Sequence, residues 1–282
     1  RSSRWTPKLA EALYQSQDIR LIQWATEFWS EDKILPQFLD KICAVGDAHV
    51  LSSLGVTLSD ERWDPRILHS LLSIADGKTL CDVGTCWRAS RLSSEFFDIF
   101  CERASAKDLF SAGISWPPDR WDPRIAKELC RKKDVEYLDK AGRQWPRERW
   151  DPCIFETYWQ LNHPRKIETV LEAWFNDRYD TRVVDALLET DDPHLLFLAG
   201  KYLSEELWNP VLADRFAAIA RDYQVIQAFH KWIFPRWTSN LWKRFCQIGE
   251  LETIMQFTYI RREEEIPNLF RKQIILDALN QK

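Results

Sequence analysis

The phrase Arg62-Trp63-Asp64-Pro65-Arg66-Ile67 returns as Arg120-Trp121-Asp122-Pro123-Arg124-Ile125 and again as Arg149-Trp150-Asp151-Pro152-Cys153-Ile154. Successive tryptophans of the phrase are 58 and 29 residues apart. Stepping by 29 in both directions gives ten anchors with no insertion or deletion: Trp5, Ile34, Trp63, Leu92, Trp121, Trp150, Tyr179, Trp208, Trp237 and Ile266. A fixed period of this length marks a repeat architecture, in which each unit is too small to bury its own apolar face and must stack on its neighbours. One or two ordinary globular cores are therefore not the expectation for this chain.

The unit can be read from its anchor, taken as position zero. Position +1 holds Thr6, Asp64, Ser93, Asp122, Asp151, Asp180, Asn209 and Thr238, side chains that accept an unpaired backbone N–H at a helix start. Pro follows at +2 in six units, where its missing donor costs nothing. Apolar residues at +4 (Ile67, Phe96, Ile125, Ile154) and +8 (Leu71, Phe100, Leu129, Tyr158) then share one helical face. A second start is marked at +13 by Asp18, Asp47, Asp76, Ser105, Asp134 and Asp192, and its apolar position is +17. Gly55, Gly84, Gly113, Gly142 and Gly200 occupy +21, where a glycine in the left-handed conformation would close the second helix. Each unit thus reads as a helix, a short turn, a shorter helix and a loop.

These observations predict an all-α protein, a right-handed α-solenoid spanning 1–282 as a single repeat domain. Nine full repeats start near 5, 34, 63, 92, 121, 150, 179, 208 and 237, and a terminal helix covers 266–282. Polar flanks at Arg261–Glu265 and Asn280–Lys282 suit a C-terminal cap. Nothing equivalent precedes Trp5, and the chain opens on Arg1-Ser2-Ser3-Arg4 without an initiator Met. The expectation is a part of a longer protein whose N-terminal repeat is open to end-to-end contact.

The run Trp121-Asp122-Pro123-Arg124-Ile125, continued by Asp134-Val135-Glu136-Tyr137-Leu138 and Ala141-Gly142, resembles an ankyrin-like helical repeat. The Asp-Pro-Arg-Ile opening is also similar to the start of HEAT-like units. The period of 29 departs from the ankyrin length of about 33, and Gly46-Asp47 and Gly249-Glu250 are the nearest equivalents of the ankyrin turn. The resemblance covers the whole chain and implies a partner-binding scaffold. It transfers no particular binding residue.

Fifteen tryptophans need their own account. Six sit on the anchors and six more at +24: Trp29, Trp87, Trp116, Trp145, Trp174 and Trp232. Recurrence in nearly every unit points to an aromatic seam between repeats, since each ring buries a large area. Trp24, Trp159 and Trp242 lie off both rows. Position −1 carries Arg4, Arg62, Arg91, Arg120, Arg149, Arg178 and Arg236, with Lys33 in the same file, beside an acidic file at −2. The expected role of the two files is ion pairing between repeats, with Arg stacked on the neighbouring Trp.

Chemistry leaves little trace. A net charge of −4 and pI near 5.8 supply no global field for nucleic acid, and no apolar run approaches the length of a membrane span. Cys43, Cys101, Cys130 and Cys246 share position +9 and read as small apolar groups of the core. Cys81 and Cys86 lack a partner pair at zinc-ligand spacing, and His163 and His194 make no His-x-x-x-His pair. No phosphate-binding loop, nucleophile elbow or dinucleotide fingerprint occurs. The expectation is no enzyme, no cofactor and no metal, in an intracellular, cytoplasmic setting, since the seven cysteines follow no disulfide framework.

Recognition then falls to positions whose chemistry changes from unit to unit. Positions +3, +6 and +10 of the first helices supply the candidates Arg66, His69, Glu95, Asp98, Arg124, Lys127, Arg131, Glu156, Gln160, Arg182 and Asp185. Variation at fixed sites is how a repeat protein individualises a shared surface; an unconstrained solvated face would also vary. The functional expectation is a non-enzymatic protein–protein interaction scaffold or sensor module. A helical-repeat reader of RNA or single-stranded DNA is the alternative.

Overall fold

The computed structural model describes residues 6–16, 18, 21–22, 24–25, 36–45, 47–161 and 163–248. Trp5, Trp29, Ile34, residues 249–282, on which the expected terminal helix falls, and Arg4 and Lys33 lie outside them. The described residues are all-helical, with sixteen α-helices and no strand. The chain divides into two compact units, Arg1–Leu161 and Asn162–Lys282. The first contains α1 (Pro7–Gln15), α2 (Pro36–Val45), α3 (Ala48–Thr57), α4 (Pro65–Ile74), α5 (Gly77–Cys86), α6 (Ser94–Arg103), α7 (Ala106–Ser115), α8 (Arg124–Lys132), α9 (Val135–Gln144) and α10 (Cys153–Gln160). The second contains α11 (Lys166–Ala173), α12 (Thr181–Glu189), α13 (Pro193–Tyr202), α14 (Pro210–Ile219), α15 (Asp222–Lys231) and α16 (Ser239–Ile248).

The caps act where the sequence places them. Asp64, Asp122, Asp151, Asp180 and Asn209 each accept the backbone N–H two residues on, and Thr6 and Ser93 the one three residues on. Asp47, Asp76, Ser105, Asp134 and Asp192 open the second helices in the same way. Ser105 and Asp108 form a full reciprocal capping box. The apolar rows face inward: Ile67, Leu71, Phe96, Phe100, Ile125, Leu129, Ile154 and Tyr158 are fully buried, as are Leu80, Leu109 and Leu138 of the second helices. Leu9, at the same position as Ile67, is instead 38% exposed.

Two expectations change. The second helices are not shorter: α4, α5, α6 and α7 are all ten residues long. The +21 glycines consequently lie inside them and are not left-handed caps. Gly55, Gly84, Gly113 and Gly200 keep ordinary helical backbone, and Lys133 is the one described non-glycine residue with positive φ. What these glycines supply is room. A Cβ on Gly55, Gly84, Gly113 or Gly200 would overlap the indole of Trp87, Trp116, Trp145 or Trp232 respectively.

Each of those tryptophans closes its own second helix, its N–H bonded to the carbonyl four residues back. Its ring reaches the second helix of the preceding sequence repeat. Trp87 Nε1 donates to Ser52 O at 2.9 Å, Trp116 to Cys81 O at 2.9 Å, Trp145 to Phe110 O at 3.1 Å and Trp232 to Phe197 O at 3.0 Å. All four are at most 1% exposed. Burying an indole of roughly 200 Å² is worth up to about 5 kcal/mol of transfer free energy, as an upper bound. The anchor tryptophans stand edge-on to them, Trp63 to Trp87 at 5.2 Å, Trp121 to Trp145 at 5.3 Å and Trp208 to Trp232 at 5.6 Å.

The arginine file has a different job from the one its acidic neighbours suggest. The loop between units contains short 3-10 turns, such as Ala89–Arg91 and Arg147–Arg149, that turn the arginine inward. Arg91 donates to the carbonyls of Gly55 (2.7 Å) and Leu58 (2.6 Å), at the end of α3. Arg149 does the same with Gly113 (2.6 Å) and Trp116 at the end of α7, and Arg236 with Gly200 and Leu203 at the end of α13. Helix C-termini leave carbonyls without partners and carry negative partial charge, so a buried guanidinium satisfies both needs. Arg91, Arg149 and Arg236 also lie over the rings of Trp63, Trp121 and Trp208 at 4.8, 5.6 and 5.2 Å. Glycine, two tryptophans and arginine therefore form one interlock.

Candidate partner-binding face

The interlock consumes the second helices and the loops, leaving the outward side of the first helices to solvent. Each candidate residue lies there. In the first compact unit Arg66, His69, Glu95, Asp98, Lys127, Arg131, Glu156 and Gln160 are exposed and Arg124 is half-buried; in the second, Asp185 is exposed and Arg182 half-buried. They reach the surface because the inward rows at +4 and +8 fix the rotation of each helix.

Position +3 proves less free than its variation suggests. Arg66 folds back onto its own cap, with Nε 3.0 Å from Asp64 Oδ2, and reaches Asp40 on α2 with Nη1 at 2.8 Å. Arg124 repeats the arrangement, bonding Asp122 at 2.8 Å through Nη2 and pairing with Asp98 on α6. Arg182 bonds its cap Asp180 at 2.7 Å. Two candidates, Arg124 and Asp98, are thus each other's partners. The arginine hydrogen bonds hold the Asp64, Asp122 and Asp180 carboxyls below the usual carboxylate range, against a smaller opposing effect of burial. Arg131 is engaged within its own helix by both oxygens of Glu128 at 2.7 Å. His69, Glu95, Lys127, Glu156, Gln160 and Asp185 form no ion pair with another described residue. They are the sites most available to a partner.

The off-row tryptophans divide. Trp24 is 48% exposed, Trp242 is buried, and Trp159 is half-buried with its ring 5.4 Å from that of Phe155. The two histidines that looked scattered come together in the second unit. His163 and His194 line a surface pocket of about 410 Å³ with Arg165, Lys166, Glu168 and Asp192. His194 Nε2 is 3.9 Å from Glu168, whose carboxyl Arg165 holds below its ordinary range. Sequence spacing could not find this pair, since 31 residues separate members brought together only by helix packing.

Among the described residues no group of three or more His, Cys, Asp or Glu could hold a metal ion, and no helix is long and apolar enough to cross a membrane. The chain matches no protein-family model, and no curated protein or solved structure is similar to it at a significant level.

Proposed function

We propose that the chain is a right-handed α-solenoid of 29-residue helix pairs and that it serves as a non-enzymatic scaffold for a protein partner. One observation carries this reading. The interlock recurs in the same form at Trp87–Gly55–Arg91 and Trp145–Gly113–Arg149, whereas the outward first-helix positions differ among repeats in charge and type, as at His69, Asp98, Lys127 and Glu156. A constant joint with a variable face is what a repeat scaffold requires. The mixed signs of Glu95, Lys127 and Glu156 suit a partner of mixed charge rather than a polyanion. The arginines that a nucleic-acid reader would turn toward phosphates are bonded to carbonyl oxygens, which favours the protein reading over the RNA or single-stranded DNA alternative.

The test is quantitative affinity capture with the wild-type chain and with the triple variant E95K/K127E/E156K, chosen because none of the three sits in a clasp. The expected result is that partners held by the wild type are lost at least about tenfold, while the melting temperature is unchanged. An identical partner set for both chains would overturn the assignment to this face. Salt-sensitive binding of labelled single-stranded oligonucleotides would overturn the protein reading in favour of nucleic acid.

A further inference from the structure

In the first compact unit α8 and α10 pack side by side and bring two thiols together. Cys130 is buried near the end of α8, and Cys153, the first residue of α10, is half-buried. Their Sγ atoms are 2.7 Å apart although 23 residues separate them in sequence. That is less than an ångström beyond the roughly 2.05 Å of a disulfide bond. Burial raises the thiols of Cys81, to about 12, and Cys101, to about 11, and the contact with Cys130 together with burial raises Cys153 as well; what sets Cys153 apart is a second thiol within reach.

The position of the pair carries a second argument. Cys153 occupies +3, the place of Arg66, Arg124 and Arg182. Arg66 and Arg124 reach back to an aspartate on the preceding first helix. Cys153 also reaches back to the preceding first helix, but what it meets there is Cys130, and its Sγ lies 3.9 Å from Ala126 O. At this step a thiol pair stands where other steps have a charge clasp.

We propose that Cys130 and Cys153 are an oxidisable dithiol that a low-molecular-weight disulfide, such as glutathione disulfide, closes into an intramolecular disulfide. Cys153, the more exposed, attacks one sulfur of the oxidant as the thiolate. A mixed disulfide forms at its Sγ, the oxidant's S–S bond breaks, and one thiolate leaves and takes up a proton. The Cys130 thiolate then attacks Sγ of Cys153, the protein bond forms, and the second thiol departs. Two protein thiols are oxidised and the oxidant is reduced to two thiols, so atoms and electrons balance. The product ties α8 to α10 covalently in place of a reversible clasp.

The experiment uses the full chain, fully reduced, then equilibrated with glutathione disulfide, quenched with acid, alkylated under denaturing conditions and mapped by mass spectrometry. The expected outcome is a fall in free thiols from seven to five, with one cross-linked peptide joining Cys130 to Cys153. Cys130→Ser is expected to accumulate glutathione on Cys153, because the displacing thiol is gone. All seven thiols surviving in wild type would overturn the proposal, as would a disulfide between other cysteines or between two chains. The wild-type thiol count decides the matter even if a serine variant fails to fold.

Discussion

Trp116 donates its indole N–H to the carbonyl of Cys81 at 2.9 Å while its ring covers the bare Cα of Gly84. One side chain therefore reads two neighbouring residues of the preceding sequence repeat, an acceptor and a vacancy. The same pairing joins Trp87 to Ser52 and Gly55, and Trp145 to Phe110 and Gly113.

This geometry reverses the usual sign of a glycine substitution. In an ordinary helix interior Gly→Ala stabilises by about 0.5–1 kcal/mol. At Gly84 the added methyl meets a ring that is 1% exposed and cannot withdraw. Overpacking costs typically 1–3 kcal/mol. Gly84→Ala is expected to lower stability by about 1–3 kcal/mol in urea denaturation; a gain would contradict the socket.

Arg91 and Arg88 separate a buried from a surface role on one carboxylate. Both pair with Asp60, Arg91 at 2.8 Å and Arg88 at 2.6 Å, but their side chains are 1% and 58% exposed. Removing Arg91 leaves the Gly55 and Leu58 carbonyls unpaired in the interior. Arg91→Ala is expected to cost about 3 kcal/mol, and Arg88→Ala under about 0.5 kcal/mol. Lys should rescue position 91 poorly, since it cannot present a planar fork to two acceptors. Thermal melts of the three variants check the order.

Much of this was legible in the sequence because it is local. Asp64 before Pro65 and Asp76 before Gly77 mark helix starts through their own side chains, and the apolar residues Ile67 and Leu71 lie one turn apart. Gly84 was misread because a glycine near a helix end looks the same as a cap and as a socket. Only the partner, 32 residues away at Trp116, distinguishes them. The arginine file was legible in part: its stacking on Trp63, Trp121 and Trp208 is as expected and Arg91 pairs with Asp60, but its bonds to backbone carbonyls leave no trace in side-chain pattern. The candidate face was legible as a set of variable positions, but the Arg124–Asp98 clasp within it needed the packing of α6 on α8.

Acid should loosen the fold through the cap carboxylates. Asp64, Asp122 and Asp180 titrate below their ordinary value because of the arginines bonded to them, and Asp76 because of the Thr79 N–H. A carboxyl depressed in the folded state binds fewer protons there than when unfolded, so stability rises with pH across that range. The contribution is complete above the unfolded value of about 4 and is lost as pH falls through the lower folded values. Urea midpoints are expected to be flat from about pH 7 to 5 and to fall below about pH 4. Asp122→Asn, which keeps an acceptor for the cap, should shallow that fall.

The most direct test of the joint between sequence repeats is a double-mutant cycle on Gly84 and Trp116, with Trp145 as the control. Trp116→Leu empties the space that Gly84→Ala needs, whereas Trp145→Leu empties a socket at Gly113. The predicted result is a coupling of about 1–3 kcal/mol between Gly84→Ala and Trp116→Leu, with the alanine losing its cost in the double variant. Gly84→Ala and Trp145→Leu should add to within about 0.5 kcal/mol. Additive energies at Gly84 and Trp116 would contradict the interlock on which the proposed repeat architecture rests.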